Sequence, residues 1–249
     1  MSQNLLRDDT YLPGLCKMLT EIEAGELPAI EAAAEAAYAS IQAGGLLHVF
    51  STGHSHMIVE EMFYRTGGLV PINPILSEEL MLHTGAITST QMERKSGKAT
   101  ALLTAAGIQK GDTILISSNS GINTVPVEAA LFAKEQGLTV ICVTSLAVTK
   151  QLESRHPSGK RLFEVSDIVL DNHSPMGDGL LELPSGQITG GASTFGSLFI
   201  AQRIVLKIEN LYLADGLTPP VLCSANLPGG DAFNEELVSR YAARIKALC

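Results

Sequence analysis

The stretch Thr113-Ile114-Leu115-Ile116-Ser117-Ser118-Asn119-Ser120-Gly121-Ile122-Asn123-Thr124 changes character twice. It opens as an apolar run of strand length, passes through small polar residues, and hands over to a helix near Thr124. Gly111-Asp112 turns the chain into the strand, and Pro126 is tolerable in a first helical turn. Gly137 caps that helix and Leu138–Val143 follows as the next strand. The same order occurs upstream. Leu46–Ser51 leads through Thr52-Gly53-His54-Ser55-His56 into a helix predicted over 55–66. Leu69–Ile72 reads as a second strand, residues 90–106 as a helix stopped by Gly107, and Ile168–Leu170 as a fifth strand. Strand, loop and helix in repetition predict an α/β protein of three layers, its parallel sheet covered on both faces.

Helices flank this core. Tyr11, Leu12, Leu15, Met18, Leu19 and Ile22 recur at helical spacing. Gly25 ends that segment, and an Ala-rich helix runs from Pro28 to Gln42. These two read as a prefix for packing or dimerisation. Further helices are predicted over 193–213 and 234–248. No internal repeat or low-complexity linker divides the chain. The expected organisation is one domain over 1–249, with a helical prefix (1–44), a core (45–215) and a C-terminal extension (216–249).

Composition narrows the function classes. The 249 residues are 45% hydrophobic and 17% charged, a globular balance. Lys+Arg number 17 against 26 Asp+Glu, a net charge of −9 that no block of like charge explains. Such a surface repels a phosphate backbone, and with no Trp it offers few stacking platforms, so nucleic acid is not the expected partner. The longest apolar stretches are strand-sized, too short to cross a membrane. The N-terminus, Met-Ser-Gln-Asn-Leu-Leu-Arg-Asp-Asp-Thr, has neither the basic start nor the apolar run of a secretory leader. Cys16, Cys142, Cys223 and Cys249 lie far apart and form no C-x-x-C pair. A reducing, cytoplasmic setting is the expectation.

On a parallel sheet ligands gather beyond the carboxyl ends of the strands, near a topological switch point. The loops after Ser51, Ser117 and Val143 are therefore the places to look, and the first two stand out. Both are rich in Ser, Thr and Asn, and both run straight into a helix N-terminus, where unpaired N–H groups and a positive dipole end favour an anion. Two such loops on one sheet point to a phosphate held without Lys or Arg. The plainer reading is that these residues only cap helices. A dinucleotide fits poorly: there is no G-x-G-x-x-G, and the second strand ends at Pro71-Ile72-Asn73, without a ribose-binding acid. No phosphate-binding G-x-x-x-x-G-K-[ST] occurs either. No organic cofactor and no metal is expected; His54-Ser55-His56 would offer two ligands without an obvious third.

Gly53-His54-Ser55 after one strand and Ser118-Asn119-Ser120-Gly121 after another resemble the sugar isomerase (SIS) domain, whose second loop typically reads S-x-S-G. Two longer stretches, Gly53–Met57 and His156–Leu162, resemble a branch of that family often labelled phosphoheptose-isomerase-like. The similarity runs from the prefix helices to the helix after Ser193. It implies a flavodoxin-like five-stranded parallel sheet, a homodimer or higher homo-oligomer, and a phosphorylated sugar as ligand. By this resemblance Ser55, Ser118 and Ser120 fall on phosphate-binding positions, with Gly53, His54, Asn119 and Thr124 beside them. Asn123 stands where the family usually has Thr. Ser193, opening a late helix, would offer a further contact near the sugar.

The catalytic residues are less clear from the sequence. Phosphoheptose isomerases use a Glu late on the first loop's helix, a position that corresponds here to Arg65, which cannot act as a base. Glu61 is the nearest alternative, although an ion pair with Arg65 four residues on is the plainer role. Glu79 and His83 would share one helical face as an acid/base pair. His54 or His56, inside the phosphate loop, would titrate near neutrality. His48, within the first strand, reads as a core residue. His156, Lys160 and Arg161 form a basic spot that is either a solvated loop or a lid over an anion. Asp178, between two glycines, reads as a turn residue. The expected function is aldose–ketose isomerisation of a sugar phosphate through an enediol. The alternatives are an etherase acting on an amino-sugar phosphate and a non-catalytic phosphosugar sensor.

Overall fold

A computed structural model of the chain describes residues 6–249. The reading of the extreme N-terminus rests partly on residues 1–5, outside the described residues. The elements in chain order are α1 (Tyr11–Gly25), α2 (Leu27–Gln42), β1 (Leu47–Ser51), α3 (Met57–Met62), β2 (Ile72–Ile75), α4 (Ala86–Met92), α5 (Lys98–Ala105), β3 (Thr113–Ser117) and α6 (Thr124–Glu135). There follow β4 (Thr139–Thr144), the short turns α7 (Leu146–Thr149) and α8 (Leu162–Val165), β5 (Ile168–Asp171), β6 (Gly179–Glu182), β7 (Ile188–Gly191), α9 (Ser193–Ala214) and α10 (Gly230–Ser239).

Five parallel strands form the sheet in the order β2-β1-β3-β4-β5. Side chains of the central strands alternate between two cores. Leu47, Val49, Leu115, Ile141 and Val143 pack against α1, α2, α3 and α9. Phe50, Ile114, Ile116, Val140 and Cys142 pack against α5, α6 and α8. Both faces are covered, which is why these strands read as near-continuous apolar runs. The edge strand β2 carries Pro74, whose missing N–H costs least at an edge. The winding direction reverses between β1 and β3, so their following loops open on one crevice.

The prefix helices are part of this sandwich. Ile30, Ala33, Ala34 and Ala37 of α2 are fully buried against the sheet and α9, so the prefix packs on its own core. Several boundaries depart from the sequence expectation. The first-loop helix ends at Met62, because Phe63 is extended and Tyr64 adopts a positive φ of 44°. The second strand starts at Ile72. Residues 67–70 pair instead with 220–222, including a Leu69–Val221 bridge, a partnership set by the distant C-terminal segment. The helix predicted over 90–106 breaks at residues 93–97. Gly97 is left-handed, and the Glu128 carboxylate on α6 accepts from Gly97 N (2.7 Å) and Thr100 N (3.1 Å) to start α5 afresh. The last helix is α10, earlier and shorter than predicted. The β6–β7 hairpin was not foreseen.

Candidate functional site

Gly53–His56 winds as a 3-10 turn that runs directly into α3, so the loop after β1 stays compact. Within it the two histidines diverge: His54 is exposed, whereas His56 is only 5% exposed. His56 Nδ1 lies 3.0 Å from the Gly53 carbonyl. A carbonyl can only accept, so Nδ1 carries the proton and Nε2 is left as a bare lone pair. Nε2 is buried and has no partner among the described residues. Burial pushes the imidazole pKa below its usual value, outweighing the Gly53 hydrogen bond and the nearby Glu60, so the neutral form is favoured. His56, Glu60 and His83 line one open cleft of about 490 Å³ together with Met57, Met81 and Leu82. On the other side of the turn, His54 and Ser55 face Ser193, Thr194 and Ser197 of α9 across a smaller, narrow cleft.

The loop after β3 is held by its own hydroxyls and by its neighbours. Ser118 Oγ accepts from Gly121 N at 3.3 Å. Gly121 needs its positive φ of 62°, and a Cβ there would sit 2.9 Å from Thr144 Oγ1 and 3.0 Å from Thr149 Oγ1. Ser120 stays half-buried at the crevice. In the first turn of α6, Pro126 has no N–H and Val125 N donates to the Glu93 carbonyl at 3.0 Å, which leaves the Thr124 N–H beside Ser120.

Asn119, Asn123 and Thr124, expected beside the phosphate, also tie the switch-point loops together. The Asn119 side chain accepts from Asn172 (3.0 Å) and Ser174 (2.8 Å), tying the loops after β3 and β5. Thr124 Oγ1 donates to the Arg155 carbonyl at 3.2 Å. Asn123 Nδ2 donates to Glu93 Oε1 at 2.7 Å, and its Oδ1 accepts from Arg155 at 2.6 Å. Ser193 has its backbone N–H taken by Asp178 Oδ1 at 2.7 Å, while its hydroxyl faces the smaller cleft.

The candidate acids also need correction. Glu61 is occupied by Gln202 Nε2 (2.7 Å) and by an ion pair with Arg65, so it is turned toward α9. Glu79 pairs with Lys98. Glu79 and His83 share no helical face, because Met81 is extended and splits the segment into two separate turns. Arg161 is committed to Glu164 and to the carbonyls of Thr149 and Lys150, which fits the solvated-loop reading better than the lid. His48 is buried between Asp112 and Asn73, as a core residue. Among the described residues, no group of three His, Cys, Asp or Glu side chains is placed to hold a metal ion. No helix among them is long and apolar enough to cross a membrane.

Two residues at the crevice escaped the sequence reading. Glu93, in the break before α5, is mostly buried and accepts from Thr52 Oγ1 at 2.9 Å as well as from Asn123. Burial raises its pKa despite the Thr52 hydrogen bond. Arg155 completes the chain through Asn123. The available signal was Ser96-Gly97, a breaker pair inside the predicted helix that places Glu93 at a helix end rather than mid-helix.

Residues 10–145 match the SIS domain family. The chain belongs to the SIS family. It is 42% identical over 226 residues to a UPF0309 protein of Halalkalibacterium halodurans, covering 88% of each chain. Among solved structures, a phosphoheptose isomerase from Francisella tularensis superposes with a TM-score of 0.52 at 18% identity, covering 81% of this chain and 96% of that one. A phosphoheptose isomerase from Neisseria gonorrhoeae gives 0.54 at 16% identity, covering 82% and 97%. These two likenesses establish the shared SIS fold. The switch-point loops of this SIS chain carry the S-x-S-G motif as Ser118–Gly121.

Proposed function

We propose that this SIS protein is a sugar-phosphate isomerase that interconverts an aldose and a ketose phosphate through an enediol. The observation that carries the reading is His56: a buried, neutral imidazole with an unpartnered Nε2, one turn from the hydroxyl-lined loop at the switch point. The phosphate is held by the hydroxyls of Ser55, Ser118 and Ser120 and by the Thr124 N–H at the start of α6. The SIS family match and the phosphoheptose isomerase likenesses support the substrate class.

Isomerisation moves one proton from C2 to C1 and another from the C2 hydroxyl to O1. His56 Nε2, able only to accept when neutral, takes the hydroxyl proton and delivers it to O1. The Gly53 carbonyl fixes the ring tautomer that makes this possible.

The test is a thermal-shift panel of hexose and heptose phosphates, followed by NMR of deuterium uptake from D2O. A ligand at 100 times its dissociation constant stabilises by about 2.7 kcal/mol. The Ser118→Ala/Ser120→Ala double variant should fold and lose that stabilisation. His56→Ala should keep the stabilisation and lose turnover. A folded double variant that still responds to the phosphosugar would sink the site assignment.

A further inference from the structure

We infer that Glu93 is a further catalytic residue, the carboxylate that carries the carbon-bound proton between C2 and C1. This rests on the isomerase reading above. Glu93 caps the C-terminal end of α4, its N–H still bonded to the Ser89 carbonyl at 3.0 Å, and its side chain reaches the loops at the carboxyl end of the sheet. Its two oxygens are held separately, Oε2 by Thr52 from the loop after β1 and Oε1 by Asn123 from the loop after β3. Those loops flank the switch point. Thr52 also precedes Gly53, whose carbonyl orients His56. One short run of chain therefore positions both proton-handling groups.

A mostly buried carboxylate is normally compensated by a cation. The nearest ones are Arg94, its neighbour in sequence, and Arg155, which reaches Asn123 at 2.6 Å. Neither makes an ion pair with Glu93 among the described residues. Two neutral donors hold the group in place and leave it basic, which suits proton abstraction better than scaffolding. It also supplies a carboxylate to a SIS chain that has Arg65 at the usual position.

The step balances as follows. Glu93 removes the C2 proton, and the electron pair forms the C1–C2 double bond while O1 gains the proton carried by His56. The same carboxyl then returns its proton to C1 as the C2–O bond becomes a carbonyl. No oxidant or second substrate enters. Asn123 and Arg155 act as positioning residues.

The experiment measures deuterium uptake at C1 and C2 in D2O for the panel sugar that stabilises the wild type. Glu93→Gln should lower exchange by about 10²- to 10⁴-fold while the thermal shift with that sugar is retained. Glu93→Asp should keep part of the rate with a displaced acid limb in the pH profile. Thr52→Val removes a hydrogen bond that favours the ionised carboxylate, so it should move the acid limb to higher pH. Exchange by Glu93→Gln within threefold of wild type overturns the inference while leaving the isomerase reading intact. If Glu93→Gln fails to fold, an unmoved acid limb in Thr52→Val overturns it instead. A wild type without exchange on any panel sugar overturns both.

Discussion

At the opposite pole of the sheet, Asp112 gathers a different set of partners. Its carboxylate accepts from Leu46 N (3.0 Å), Gln109 N (2.8 Å), His48 Nε2 (2.9 Å) and Arg244 Nη2 (2.8 Å). Asn73 Nδ2 donates to His48 Nδ1, which leaves the His48 proton on Nε2, facing Asp112. Burial opposes ionisation of Asp112, but His48, Arg244 and the Gln109 amide outweigh it and hold the pKa at about 2. The native value lies below the unfolded one, so the native state gains wherever the group is ionised. That gain is present above about pH 4, is worth about 2 kcal/mol at neutral pH, and is lost as pH falls toward 2. Asp112→Asn should therefore destabilise by about 2 kcal/mol at pH 7 and by almost nothing near pH 2. Denaturant melts at the two pH values check this; an equal loss at both would contradict it.

Elements meet closely where α9 begins. A Cβ on Gly196 would lie 2.6 Å from the Asn172 carbonyl and 3.2 Å from Ile22 Cδ1 and Met18 Cε. Backbone cannot yield as a flexible side chain can, so Gly196→Ala should cost about 1–3 kcal/mol, read as a lowered midpoint at unchanged slope in urea. The Asp178 carboxylate satisfies the first N–H of α9 from a left-handed turn. Asp178→Ala should cost about 1 kcal/mol by losing that cap. Asp178 also shows what one sequence discloses. Its two flanking glycines announced a turn, but the helix it caps starts fifteen residues later and is joined to it only by tertiary contact. The strands were legible because a sheet buried on both faces writes itself as apolar runs, and the switch-point loops because they must be small and polar. Glu61 was plausible from spacing alone, yet the early stop of α3 and the approach of Gln202 decide its role. Glu93 was hidden inside an apparently continuous helix. Its place depends on tertiary partners, Thr52 and Asn123 on its carboxylate and Val125 N on its carbonyl.

Across the whole molecule, one stripe of α9 lacks cover. Phe195, Leu206 and Leu213 recur on the same helical face and are exposed, as are Met57 and Tyr64 beside α3. Apolar and aromatic side chains grouped in this way favour an interface. A second copy of this chain seated there would lie against the cleft lined by Ser193 and Thr194. Light scattering at micromolar concentration should give a mass of at least twice 26.4 kDa, and Leu206→Glu with Leu213→Glu should halve it. A monomer with undiminished phosphosugar affinity would refute a shared site. The hydroxyl cradle has a kinetic signature of its own. On the proposed function it would meet a dianion with neutral donors, inside a chain of net charge −9. The diffuse field therefore opposes approach, while the bond that finally holds the phosphate is local. Raising ionic strength from about 0.01 to 0.15 M shortens the screening length from about 30 to 8 Å. Association should quicken with salt while dissociation stays nearly constant, the reverse of electrostatically steered capture. In stopped-flow traces, an association rate that falls with salt would mean that a lysine or arginine greets the phosphate first.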